Sequence, residues 1–149
     1  MARVGQQGRG PMLNYITIGA NDLQRSGRFY AAVLVPLGYA MNEFPTGIEF
    51  APPTAPGTDS GAGTVYVTKP FDGSDATVGN GSMAAFQAPT RATVRTLHAA
   101  ALAAGGTDAG APGLRAQYSE HFFVGYLRDP VGNKIALFCS DPAESAHGT

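Results

Sequence analysis

The sequence predicts an α+β domain of two tandem β-α-β-β-β modules, and three observations predict it. Short β-branched runs alternate polar and apolar residues, as half-buried strands do. Two longer segments repeat apolar residues at three- and four-residue steps, the pattern of a helix with one buried face. The two halves also align with each other at an offset of 68 residues, which carries Gly38 onto Gly106.

Residues 12–19 set Ile16 and Ile18 against Tyr15 and Thr17, so they form a first strand with two different faces. Asn21 and Asp22 follow as cap candidates. Leu23, Phe29, Tyr30, Val33, Leu34 and Leu37 then make an apolar helical stripe that runs to Gly38. That stripe must be buried, and the strand face carrying Ile16 and Ile18 is its natural partner. Three short strands are predicted next, at 39–44, 47–51 and 63–69, with a loop rich in Pro, Gly, Thr and Ser at 52–62. A second loop at 70–81 resets the chain.

The second half opens on a strand at 82–88. Thr90 caps a helix striped by Val94, Leu97, His98, Ala101 and Leu102, and Gly105 and Gly106 stop it. After it only two strands are clear, at 121–128 and 134–139, joined by the hairpin turn Asp129-Pro130-Val131-Gly132-Asn133. The offset of 68 also places Tyr15 on Met83, Ile18 on Phe86, Asp22 on Thr90 and Leu34 on Leu102. The domain is read as residues 12–140, with module one at 12–70 and module two at 82–140. Residues 1–11 are read as a flexible lead and 141–149 as a polar tail.

Composition narrows the classes open to this chain. Its 149 residues suit one domain. The hydrophobic fraction of 44% is ordinary for a globular core, while the charged fraction of 14% is below the usual level of about 25%. Ten Lys+Arg against 11 Asp+Glu leave a net charge of −1, without blocks of like charge, so there is no electrostatic footprint for nucleic acid or an anionic membrane. No apolar run is long enough to span a bilayer or to serve as a secretory signal, and the single Cys139 cannot form an intrachain disulfide. These features predict a cytoplasmic protein.

Set in two tandem modules, Asp22-x-x-x-Ser26-x-x-Phe29-Tyr30, Val33-Leu34-x-x-Leu37-Gly38 and the closing Asp129-Pro130-x-Gly132-Asn133 resemble the glyoxalase/bleomycin-resistance/dioxygenase family, the vicinal oxygen chelate fold. The resemblance covers about residues 12–139. It implies a cupped mixed sheet with the helices outside, association as a homodimer, and a divalent metal in the cup. His, Glu or Gln on the first and last strand of each module hold that metal, since such an ion needs nitrogen or oxygen donors. The matching positions here are Tyr15, Thr68, Met83 and Ala136. An alanine offers no donor and a thioether suits a soft ion, so no metal and no other cofactor is expected unless the first half's last strand runs in a different register.

Strand alternation sends Tyr15, Thr17, Tyr66, Thr68, Met83, Ala85, Gln87, Lys134, Ala136 and Phe138 to the concave face. From these, Tyr15, Tyr66, Met83, Gln87 and Phe138 are the candidate contacts for a ligand. A Pro112-Gly113-x-Arg115-x-x-Tyr118 stretch resembles one found at the mouth of the cup in a bacterial branch of the family. Arg115 there either forks onto a ligand carboxylate or phosphate, with Tyr118 beside it, or clamps carbonyls of its own loop. His98 reads as a packed core residue and Cys139 as a buried thiol, whereas His121 is the candidate catalytic residue.

The leading reading is a protein that binds a small organic molecule in its cup without the family metal. The alternative is an enzyme, either a glyoxalase-type lyase or isomerase, or a dioxygenase-like one. A metal-free acid/base version would use Tyr15, Tyr66 or His121, and only the imidazole titrates near neutrality when unperturbed. A vestigial, filled cup is the third reading.

Overall fold

The computed structural model describes residues 13–53 and 61–147, so the lead expected at 1–11 and most of the loop at 52–62 lie outside the described residues. Strand β1 (Tyr15–Gly19) leads into helix α1 (Leu23–Leu34), then β2 (Ala40–Phe44), β3 (Gly47–Ala51) and β4 (Thr64–Thr68). The second half repeats that order with β5 (Met83–Gln87), α2 (Arg91–Ala103), β6 (Thr107–Leu114), β7 (Phe123–Arg128) and β8 (Lys134–Cys139). The fold is α+β with two β-α-β-β-β modules, as the repeat predicts. Among the described residues no helix is long and apolar enough to cross a membrane.

Both helices begin where the cap residues indicate. Asp22 accepts from the Arg25 N–H at 3.1 Å and Thr90 from the Thr93 N–H at 3.0 Å, each satisfying a first-turn donor that has no partner inside the helix. Their ends differ from expectation. Helix α1 closes at Leu34, short of Gly38, because Pro36 has no N–H with which to continue the ladder, and Leu37 is left outside it. The left-handed glycine after α2 is Gly105 (φ +99°), the counterpart of Gly38 (φ +97°), so the helix stops align one residue away from Gly106. Gly106 is required for another reason, since a Cβ there would stand 2.5 Å from Phe29 Cε2 on α1.

The sequence reading leaves 107–114 without a strand, yet β6 occupies it. This is an edge strand whose pairing with β7 slips between Asp108 and Gly110 and again between Gly110 and Gly113. Edge position and bulging are what let Pro112 and the glycines sit in a sheet, and they also erase the alternation that reveals a strand. Strand β7 begins at Phe123, which leaves His121 on the preceding turn rather than at a strand start. The tail is not featureless either. Pro142–His147 form a 3-10 helix, and Glu144 accepts from the Arg91 N–H at the start of α2 at 3.3 Å.

Each module makes its own four-stranded mixed sheet, β1-β4-β3-β2 and β5-β8-β7-β6. The pairs β1–β4 and β5–β8 are parallel and the others antiparallel. Helices α1 and α2 pack on one another and on the sheets. One core results, with Phe29, Tyr30, Val33 and Leu34 from α1, Val94, Leu97 and Ala101 from α2, and Val65, Val67, Ile135 and Leu137 from the sheets. Ile16, Ile18 and Ala84 pack against it and Phe86 and Cys139 belong to it, so the inner face expected from alternation is the observed one.

The modules are joined at a buried carboxylate. Asp129 is 3% exposed; its Oδ1 accepts the N–H groups of Val131, Gly132 and Asn133, each at 2.9 Å. Its Oδ2 accepts from Asn133 Nδ2 at 3.1 Å and from the Tyr30 hydroxyl of α1 at 2.6 Å. Burial first, then the charge and hydrogen bond of Asp129, hold the Tyr30 phenol well above its ordinary value of 10.0. A raised phenol favours the folded state while it stays protonated, and that contribution fades as pH climbs from about 10 toward the folded value. We expect Tyr30→Phe to lower stability by about 1–3 kcal/mol at neutral pH. It should also remove this source of lost stability above about pH 10, where an unperturbed tyrosine ionises. Urea unfolding of both proteins from neutral to alkaline pH checks both.

Candidate functional site

The free edges of β1 and β5 face one another across a cavity of about 570 Å³. Tyr15 and Thr17 from β1, Met83 and Ala85 from β5, and Lys134 from β8 line its concave side, with Ile16, Ile18, Ala84 and Phe86 deeper toward the core. Two predicted contacts, Tyr15 and Met83, thus come together. Both are first-strand residues, because the internal repeat places β1 and β5 at equivalent positions. Tyr66, Arg115, Tyr118 and Phe138 are not among the lining residues, and Gln87 lines a separate depression with Pro36, Leu37 and Thr93.

On the first sheet the concave face carries a polar and aromatic row. Register sets Asn42 opposite Glu49, Glu49 opposite Tyr66 and Tyr66 beside Thr17. The Tyr66 hydroxyl donates to Glu49 Oε2 at 3.3 Å, and Asn42 Nδ2 donates to Oε1 at 3.2 Å. Tyr15 meets Tyr66 edge to face with ring centroids 5.5 Å apart, and Phe44 does so at 6.4 Å. Desolvation, the hydrogen bond to Glu49 and then the charges of Glu49 and Tyr15 raise the Tyr66 phenol above its ordinary value. Glu49 went unnamed in the sequence reading. Its signal was present, because Ile48 and Phe50 alternate with it and both turn into the core.

The second sheet's concave face is built differently. Tyr126 lies beside Ala136, and Lys134 Nζ sits 4.5 Å from the Tyr126 ring centroid, with the Arg115 guanidinium at 5.8 Å. Arg115 directs its fork to its own segment, donating to the Ala111 carbonyl at 3.0 Å and the Leu114 carbonyl at 3.3 Å. The clamp reading is thus the geometry present. Tyr118 packs on Phe122 at 6.0 Å, and Phe122 on Phe138 at 5.7 Å, so both predicted aromatic contacts stack with each other's neighbour on this face. Ala136 is only 1% exposed.

The histidines separate in the same way. His98 is buried with Nε2 3.1 Å from the Tyr126 carbonyl and 3.3 Å from Asp108 Oδ1, which assigns the proton to Nε2 and a structural role to the ring. His121 stands on the turn before β7, its N–H on Ser119 Oγ at 3.3 Å.

Strand register also corrects one metal position. Tyr15 pairs with Thr64 as Met83 pairs with Lys134, so the counterpart of Ala136 is Tyr66 and not Thr68. The loops before the two last strands differ in length, and a fixed offset cannot follow them. The corrected set is Tyr15, Tyr66, Met83 and Ala136. Two phenols, a thioether and a methyl group do not fit a divalent ion that takes imidazole and carboxylate donors. Among the described residues no group of three or more His, Cys, Asp or Glu side chains is placed to hold a metal.

No protein-family model and no curated protein matches the chain. Solved structures do. A glyoxalase/bleomycin resistance protein from Albidiferax ferrireducens T118 is 34% identical, with a TM-score of 0.74, over 88% of this chain and 100% of that one. A glyoxalase-related enzyme from Fulvimarina pelagi is 21% identical, with a TM-score of 0.64 over 86% of this chain and 87% of that one. Lactoylglutathione lyase from Agrobacterium tumefaciens is 18% identical, with a TM-score of 0.57 over 88% of this chain and 96% of that one. The last two share the fold, and the first shares sequence along its whole length. Paired β-α-β-β-β modules, the Phe29-Tyr30 and Asp129-Asn133 motifs they hold together, and that full-length likeness establish that this chain belongs to the glyoxalase/bleomycin resistance/dioxygenase family.

Proposed function

We propose that the protein binds a small organic molecule in the cavity between β1 and β5, and that it does so without the metal that the family resemblance implies. The observation that carries this reading is the cavity itself. Its volume of about 570 Å³ lies within the range of about 300–1,000 Å³ typical of small-molecule sites. Apolar side chains dominate its lining, with Tyr15, Thr17, Thr77, Ser82 and Lys134 among the polar groups that would orient a ligand. Tyr15 and Met83 occupy the places where donors would be needed, so the binding energy would come from contact and hydrogen bonding instead. Catalysis through His121 has less support, since that residue is not among those lining the cavity.

We further propose that the protein works as a cytoplasmic homodimer. The family resemblance implies such a dimer, and Met41, Phe71 and Leu114 are large apolar side chains left exposed on the isolated chain that a second copy would cover. Light scattering should return twice the mass of one chain, and the mass of a single chain would overturn this assignment.

A panel of aromatic and aliphatic metabolites and drugs should contain compounds that raise the melting temperature. Saturation at about 100 times Kd stabilises a protein by about 2.7 kcal/mol, which amounts to several degrees. Met83→Trp, which fills the cavity, should abolish that rise without lowering the melting temperature of the free protein. A panel without one saturable ligand argues for a vestigial cup.

Calorimetric titration with zinc, nickel and manganese should show no stoichiometric binding to the natural chain. The triple variant Tyr15→His, Met83→His, Ala136→Glu should gain it. A tightly held ion in the unmodified protein would transfer the site to metal-assisted chemistry.

A further inference from the structure

We infer that the row of Glu49, Tyr66, Tyr15 and Phe44 on the first sheet is a recognition site for an organic cation, a quaternary or protonated amine. This rests on the small-molecule reading above and extends it from the cavity, which Tyr15 lines, to the adjoining row on the first sheet. Glu49 is partly buried, and among the described residues no lysine or arginine lies within ion-pair distance of it. Its two hydrogen bonds, from Tyr66 and Asn42, come from neutral donors and leave the charge uncompensated. A carboxylate has about four acceptor positions, so two remain for a ligand.

Tyr66 stands in the middle of β4, Tyr15 is level with Thr64 at one end of that strand, and Phe44 is level with Gly47 and so with Thr68 at the other. Both flanking rings are steeply inclined to Tyr66, at interplanar angles of 88° and 73°. They are also the exposed members of the group, at 57% for Tyr15 and 37% for Phe44. Tyr66 touches the carboxylate and the two exposed rings touch Tyr66, so a cation seated on this row meets ring quadrupoles as well as the charge, a combination that suits a weakly hydrated alkylammonium. The second sheet lacks this arrangement. There the equivalent of Tyr66 is Ala136, and the neighbouring Tyr126 ring already carries Lys134. Asn42 is a positioning residue: it fixes Oε1 of Glu49 on the β2 side while Oε2 takes the Tyr66 hydroxyl on the β4 side.

The test uses the full-length protein with choline, tetramethylammonium and the uncharged choline isostere 3,3-dimethylbutan-1-ol, by calorimetry or chemical-shift titration. Choline should bind at least tenfold more tightly than the isostere. Glu49→Gln, which keeps size and hydrogen bonding, should cost choline at least tenfold while leaving the isostere unchanged. Phe44→Leu lies on an edge strand outside the core and should weaken choline several-fold, which keeps the inference testable if Glu49→Gln does not fold. Equal affinity for choline and the isostere would overturn it, as would undiminished choline binding by Glu49→Gln. If instead Glu49→Gln changes only the mass in solution, the row is a contact between copies of the chain and the inference fails. Should neutral compounds stabilise the protein while no cation binds, the cation assignment falls and the small-molecule reading stands. If nothing in either set binds, both fall together.

Discussion

The Asp129 carboxylate is the constraint on which the rest of the structure depends. It satisfies the backbone of the turn between β7 and β8 and receives the Tyr30 hydroxyl from the other module. A buried charge is tolerated only when its hydrogen-bonding capacity is filled, and here donors from two modules fill it. The turn sets the register of β8 against β7, and β8 sets that of β5. One side chain therefore determines which residues of the second sheet face the cavity and how α1 meets that sheet. The sequence motif that contains it, Asp129-Pro130-x-Gly132-Asn133, and the Phe29-Tyr30 pair are two ends of a single interaction.

The two modules share a backbone plan but not a surface. On the first sheet, concave positions hold a carboxylate among phenols and a phenyl ring, open to solvent. On the second, a tyrosine ring carries a lysine and an arginine, and Phe122 lies over Phe138. Between them the facing edges of β1 and β5 leave an apolar cavity with hydroxyls at its margins. The repeated backbone plan gives the symmetry, and different residues at alternate strand positions give the cavity unlike walls.

Most of the fold could be read from the chain. Strands β3 and β8 occupy the expected residues, the caps Asp22 and Thr90 act as caps, and the inner faces of β1, β5 and β8 are the expected ones. These features are local, resting on period, cap chemistry and turn residues. Strand β6 escaped because its Gly110, Pro112 and Gly113 are loop residues everywhere except at a bulged edge. The end of α1 was misjudged because the apolar period continues through Leu37 although Pro36 cannot.

The candidate site was legible in part. Tyr15 and Met83 meet at the cavity as alternation and the repeat predict, while Glu49, on the predicted strand at 47–51, is not among the candidates that the sequence yields. The sequence by itself determined the class of fold, the family and the lack of ordinary metal donors, because each is encoded in residue type at fixed local spacing. Only the tertiary structure decided that Tyr66 rather than Thr68 answers Ala136, that Arg115 serves its own loop, and that Glu49 stands among rings. Those outcomes depend on pairing between strands separated by loops of unequal length, and no periodicity along one strand carries information about its partner's register.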